Sequence, residues 1–189
     1  MANYVMTYEI ILDSRAKNKI DSQLNIASNI YNELLSVILR RYNKLRNSSE
    51  HKKLLKAYIN VKTKLENLKS NKKNTQEIKE KSKKLSEIKK AITEKLKQIR
   101  LDYGFSEYEL HKYCTTINKK NNYDFNSMII QKLATRAFKS VEKMMYNSKT
   151  KKVKFKKLGT ASFEGKNNRT GLRYELSKNE LIISRKVKC

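Results

Sequence analysis

The sequence predicts an α+β fold that is mainly α. A small β-barrel is expected, with a helical lobe inserted after its first strand and a long antiparallel coiled-coil hairpin inside that lobe. Three observations predict it. Apolar residues recur at steps of three or four through most of residues 14–150, the period of buried helix faces. Proline is absent and there are only four glycines, so little interrupts long helices. Strand-like alternation occurs near the two ends, in residues 4–12 and again from Val153 onward. The expected division is a first strand in 1–13, a helical lobe in 14–150 and the remaining strands in 151–189.

In residues 4–12, Tyr4, Met6, Tyr8, Ile10 and Leu12 share one face, with Val5 and Ile11 on the other. A lone strand has unpaired backbone groups, so it must pair with something later in the chain. A helix over 19–46 follows, with Ile20, Leu24, Ala27, Tyr31, Leu34, Ile38, Tyr42 and Leu45 on its buried side. Asp13 and Ser14 are its expected caps, because their side-chain oxygens can accept from the first free amides. It ends in Arg40, Arg41, Tyr42, Lys44 and Arg46, before the polar break Asn47-Ser48-Ser49. Cations suit the partly negative carbonyl end of a helix. Cations beside an aromatic ring equally suit a phosphate backbone with bases stacked nearby.

Residues 51–100 read as two amphipathic helices. Leu54, Tyr58, Val61, Leu65 and Leu68 form one seam; Ile78, Leu85, Ile88, Ile92, Leu96 and Ile99 form the other, with a polar break at 71–74. This is the pattern of an antiparallel coiled-coil hairpin. The segment holds 17 Lys or Arg and five Glu, a balance of 17 − 5 = +12. Its wide flanks are either a phosphate-tracking surface or a solvated one.

Gly104 permits a bend, and Ser106 with Glu109 forms a capping-box pair for a helix reaching Ile117. His111 and Cys114 sit three apart on that helix, as metal ligands can. A zinc site needs about four ligands, and packing accounts for the pair better. After a loop in 118–123, Asn126 and Ser127 open a helix that buries Ile130, Leu133, Ala134, Ala137, Phe138, Val141 and Met145. Gln131, Thr135 and Lys139 form a polar stripe on it, either a solvent face or a face that reads base edges. Residues 143–158 contain seven lysines and no acid. Short strands are expected at 153–156, 161–164, 172–176 and 181–184, with a hairpin turn at 177–180 and a polar loop carrying Arg169 at 165–171.

Charge narrows the function classes. The chain has 44 Lys plus Arg against 18 Asp plus Glu, a net +26 and a pI near 10.0. Such a field attracts polyanions, and nucleic acid is the first expectation. Tyrosine outnumbers phenylalanine 11 to 5, which suits wet surfaces where a ring both stacks and hydrogen-bonds. No apolar run approaches a membrane span and no signal-peptide pattern opens the chain, so an intracellular protein without a membrane partner is expected. The sequence lacks a phosphate-binding glycine loop, GxSxG, HExxH and the paired carboxylates that hold catalytic metals. No catalytic residue, metal site or cofactor is therefore expected in this chain, and it is not expected to be an enzyme on its own.

The order of parts resembles the N-terminal half of the TnpB (OrfB) family, transposon-encoded RNA-guided nucleases related to type V CRISPR effectors. The resemblance rests on the first strand and on Ala27-Ser28-Asn29-Ile30-Tyr31-Asn32-Glu33-Leu34-Leu35. It also rests on Gln131-Lys132-Leu133-Ala134-Thr135-Arg136-Ala137-Phe138 and on Val153-Lys154-Phe155-Lys156-Lys157 leading into short strands. It covers nearly the whole chain, with 51–100 as an insertion-like hairpin. It implies a wedge domain made by the strands, holding a structured guide RNA. Lys151, Lys152, Lys154, Lys156, Lys157 and Arg169 are the expected RNA contacts. It also implies a helical recognition lobe facing target DNA and its adjacent motif, with Asn126, Ser127, Gln131, Thr135, Arg40, Arg41 and Tyr42 as the expected DNA contacts. A prokaryotic, cytoplasmic, nucleoid-associated protein follows. The family's RuvC-like nuclease domain and zinc ribbon have no counterpart up to Cys189. Cleavage, and the Mg²⁺ it needs, would belong to that missing part or to a second chain. The other reading of the charge is a freestanding basic protein that coats nucleic acid or binds ribosomes without a guide.

Overall fold

The structure, a computed structural model, describes residues 11–70, 76–121, 125–146, 152–164, 173–178 and 180–182. It is mainly helical, with one small two-stranded sheet. The helices are α1 (Ser14–Asn47), α2 (Ser49–Ser70), α3 (Gln76–Asp102), α4 (Glu107–Asn121) and α5 (Ser127–Tyr146). The strands are β1 (Arg173–Glu175) and β2 (Glu180–Ile182), antiparallel with Tyr174 opposite Leu181 and joined through a one-turn 3-10 helix, Leu176–Lys178.

The helix ends follow local chemistry. Asp13 Oδ1 accepts from the Ala16 amide at 2.6 Å, so Asp13 caps α1. Ser48 separates α1 from α2, and its Oγ accepts from the His51 amide at 3.3 Å. Gly104 turns the chain after α3 with φ of 63°, a conformation that penalises residues with a Cβ. Ser106 Oγ then accepts from the Glu109 amide at 3.2 Å. Asn126 Oδ1 accepts from the Met128 amide at 2.9 Å and caps α5.

The chain divides into two compact units, 36–110 and 1–35 with 111–189. In the first, α2 and α3 pack together as the expected hairpin, although its turn lies outside the described residues. Leu65, Leu96 and Ile99 are buried, with Val37, Ile38, Leu45, Phe105 and Leu110 in the same unit. The α3 seam departs from expectation at Ile88, which is 48% exposed. Lys89 is half-buried instead, its ammonium 5.6 Å from the centre of the Tyr58 ring. At this point of the hairpin a cation meets an aromatic face, which attracts it.

The second unit is built on the N-terminal part of α1. Ala27, Ile30, Tyr31, Leu34 and Leu35 are buried, as are Cys114 and Ile117 on α4 and Ile129, Ile130, Leu133, Ala134, Ala137 and Val141 on α5. Specific polar contacts join the three helices. Tyr113 donates to Glu33 at 3.2 Å, and Tyr31 Oη lies 3.3 Å from Ser140 Oγ.

Several sequence expectations need revision here. Helix α4 runs on to Asn121, through most of the loop expected at 118–123, with Lys119 and Lys120 favouring its carbonyl end. The strands expected at 153–156 and 161–164 are extended chain with no ladder partner among the described residues. Side chains of α1 supply the bonds a neighbouring strand would have made. Residues 11 and 12 are likewise not in a ladder, and Ile11 is exposed; the rest of the expected first strand and Arg169 lie outside the described residues.

Candidate nucleic-acid interface

Residues 152–164 form a strap laid against α1 and α5. Asn32 grips its middle: Nδ2 donates to the Lys156 carbonyl at 2.9 Å, and the Lys156 amide donates to Oδ1 at 2.8 Å. Fully buried Ser28 holds it again at Ala161. Its Oγ accepts from the Ala161 amide at 3.2 Å while donating to the Leu24 carbonyl at 2.9 Å. Between these anchors Gly159, with φ of 74°, and Thr160 close a tight turn; the Thr160 hydroxyl donates to the Lys157 carbonyl at 2.7 Å. With its backbone bonded inward, the strap turns Lys152, Lys154, Phe155, Lys156 and Lys157 to solvent.

Arg136 fixes the C-terminal end of the strap. Its Nη1 donates to the Ser162 carbonyl at 2.7 Å and to Ser162 Oγ at 3.0 Å, and its Nη2 meets Glu164 Oε2 at 2.9 Å. Lys132 reaches the other oxygen of Glu164 at 2.9 Å. The bonds from Lys132, then from Arg136, hold the Glu164 carboxyl below the usual carboxylate range, so it stays ionised.

A groove opens between α5 and the strap, lined by Tyr31, Arg136, Lys139, Ser140, Lys143 and Lys156 among others, with no acid among the described residues that line it. Arg136, Lys139, Ser140 and Lys143 follow one another at i, i+3, i+4 and i+7, so one helix face brings them together. Ser140 Oγ donates to the Arg136 carbonyl at 2.8 Å, which leaves Tyr31 as the donor in the Tyr31–Ser140 bond. Lys139, Lys143 and Lys156 are thus cations around a floor that is already hydrogen-bonded. Such a rim suits a chain of phosphates.

Of the expected RNA contacts, Lys152, Lys154, Lys156 and Lys157 all lie on the exposed strap, whereas Lys151 and Arg169 lie outside the described residues. The expected DNA contacts are less uniform. Asn126 is occupied as the α5 cap and Ser127 is exposed beside it. Gln131 is half-buried, and Thr135 Oγ1 lies 3.0 Å from His111 Nε2 on α4. Arg41 donates to the Gly104 carbonyl at 3.0 Å, and Tyr42 packs on Phe105 with ring centres 5.7 Å apart. Arg40 is the exposed member of its group. Spacing alone does not distinguish a cation serving its own fold from one facing outward. The lysine run that begins at Lys143 is visible in the sequence, whereas the role of Arg136 in holding Ser162 and Glu164 is not, because its partners lie 26 and 28 residues away.

The Cys114 Sγ lies 3.8 Å from the Ile130 carbonyl, and burial pushes its thiol up to about 12, so it is not a thiolate near neutral pH. No group of three or more His, Cys, Asp or Glu residues able to hold a metal occurs among the described residues. None of their helices is long and apolar enough to cross a membrane. No family model, curated protein or solved structure matches the chain.

Proposed function

We propose that this chain is the guide-RNA-binding and target-DNA-recognition part of a TnpB-like, type V-related RNA-guided complex, with the nuclease carboxylates and their Mg²⁺ supplied elsewhere. The observation that carries the RNA-binding half is the strap: four lysines exposed on a backbone that Asn32 and Ser28 hold to a helix. Pre-ordered cations lose little conformational freedom on binding, so they hold a structured polyanion better than a floppy lysine tail does. In this reading residues 4–12 complete a small wedge barrel with the late strands. Lys151 and Arg169 extend the RNA surface. Arg40, Ser127 and Gln131 face target DNA, and Arg41, Tyr42, Asn126 and Thr135 hold the elements that present them. The chain cuts nothing by itself.

The test is the RNA that co-purifies with the chain from cells carrying its genomic neighbourhood. One defined, structured species supports the guide reading; a heterogeneous mixture supports a nucleic-acid coat instead. With that RNA in hand, replacing Lys154, Lys156 and Lys157 by Ala should lower its affinity and flatten the salt dependence, because fewer phosphates are then neutralised and fewer counterions released. An affinity insensitive to salt defeats the electrostatic basis of the proposal.

A further inference from the structure

We propose that Phe155 is a stacking platform for one unpaired base, and that the phosphate beside that base enters the groove rimmed by Lys139, Lys143 and Lys156. The inference rests on the RNA-binding reading and adds to it the state of the nucleotide recognised.

Phe155 is 55% exposed, and it lies between two exposed lysines, Lys154 and Lys156. A single exposed phenylalanine is ordinary on a protein surface. This one sits next to the residue whose amide and carbonyl are both held by Asn32, so its backbone is fixed where most exposed loop aromatics are free to swing. The chain therefore presents a ring in an ordered place, flanked by positive charge. A phenylalanine has no polar atom with which to read a base edge. What it offers is a π face, which any base with a free face can cover. Bases inside a duplex have both faces occupied by neighbours, so the ligand is an unstacked nucleotide, as in an RNA loop or bulge or a displaced DNA strand.

The phosphate position follows from the next residue. Lys156 both neighbours Phe155 in the chain and lines the groove that Lys139 and Lys143 share. In this proposal a strand whose base lies on Phe155 carries its backbone past Lys156 to the α5 cations. Leu158, at the turn that follows, is 64% exposed and is the natural control, since an aliphatic side chain has no π face.

The chain contains no tryptophan, so Phe155→Trp introduces a single indole that can be excited at wavelengths beyond the absorption of the tyrosines. Titration of that variant with an unstructured oligo(U) or oligo(dT) should quench its emission, while a blunt RNA duplex of equal length should not. Phe155→Ala should weaken single-strand binding about 5- to 140-fold, the range for loss of one base–aromatic stack. It should leave duplex affinity and the salt slope unchanged, whereas Lys156→Ala should reduce the slope. Leu158→Ala should have no effect. Tighter binding of oligo(U) assigns the nucleotide to RNA, and tighter oligo(dT) to an opened DNA strand. Unchanged single-strand affinity in Phe155→Ala, or equal loss on duplex, overturns the stacking site while leaving RNA binding intact. A chain that binds no nucleic acid in any form overturns the functional reading and this inference together.

Discussion

The two units treat the same abundant cation in opposite ways. In the α2–α3 hairpin, lysines turn to glutamates on their own helix: Lys62 to Glu66 at 3.7 Å, Lys97 to Glu94 at 3.9 Å and Lys81 to Glu77. These side chains are more than half exposed, and such pairs contribute little. In the strap-bearing unit, Lys132 and Arg136 share Glu164, a residue 32 and 28 positions along the chain, and thereby lock a backbone in place. Lys139, Lys143 and Lys156 then line a common groove. A charge total describes both regions equally well. What separates them is that long-range bonds order the backbone carrying the strap lysines, while the hairpin lysines ride on a helix surface.

The largest test of this contrast is Leu65→Asp. Leu65 is buried in the hairpin unit, and a carboxylate there loses its water without a partner, costing about 4 kcal/mol. Hydrogen exchange should report reduced protection through α2 and α3 and retained protection in α5. Loss of both would mean that the two regions share one cooperative core.

Ser28→Ala attacks the other side. It leaves the Ala161 amide without its acceptor, for about 1–3 kcal/mol. Exchange at Ala161 should rise, and the hairpin should be untouched.

A third test uses pH. His51 is buried in the hairpin unit, and its Nε2 has no hydrogen-bond partner among the described residues. Burial, and then the charge of Arg100, lower its pKa below 6.5. The unfolded chain therefore binds the proton first as pH falls. Stability of this unit should be full above about pH 6.5 and decline below it, levelling off once the folded-state pKa is passed. Chemical denaturation at about pH 7.5 and about pH 5.5 should show the loss, and His51→Gln should shrink it. A His51→Gln protein with the same pH profile would mean that other groups carry the dependence.

The smallest effect is expected from Glu164→Gln. The carboxylate is 44% exposed, so stability should change by less than about 1 kcal/mol. Removing this anion beside the groove should raise RNA affinity a few-fold at low salt, and the gain should vanish at high salt. An affinity that falls would mean that ordering the strap matters more than the local charge.

The helices were legible because their causes are local. The three-four spacing gave α1 through α5, and Asp13, Gly104, Ser106 and Asn126 marked their ends. The strap was not, because alternation in 153–156 is the same whether a strand or a helix side chain bonds the backbone. Its partners Asn32 and Ser28 lie 124 and 133 residues from the groups they hold. Arg41 and Tyr42 misled for a similar reason: a cation next to an aromatic resembles a nucleic-acid contact, and Gly104 and Phe105, the residues they serve, each lie 63 positions further along the chain. Ile88 is exposed, and Lys89, one position on, meets the Tyr58 ring instead.

The span between Ser28 and Ala161 also sets an order of events during synthesis. The α2–α3 hairpin is built from neighbouring segments and can close once Asp102 has left the ribosome. The strap cannot close until Ala161 has emerged, roughly 60 residues later, which at translation rates of about 5–20 residues per second is about 3–12 seconds. Through that interval Ser28 and Asn32 wait for strap partners that have not yet emerged. The nascent chain meanwhile already displays a strongly basic hairpin beside ribosomal RNA. Slowing translation across residues 103–161 would lengthen the exposure and favour aggregation, and speeding it would shorten the time in which the unfinished protein is vulnerable.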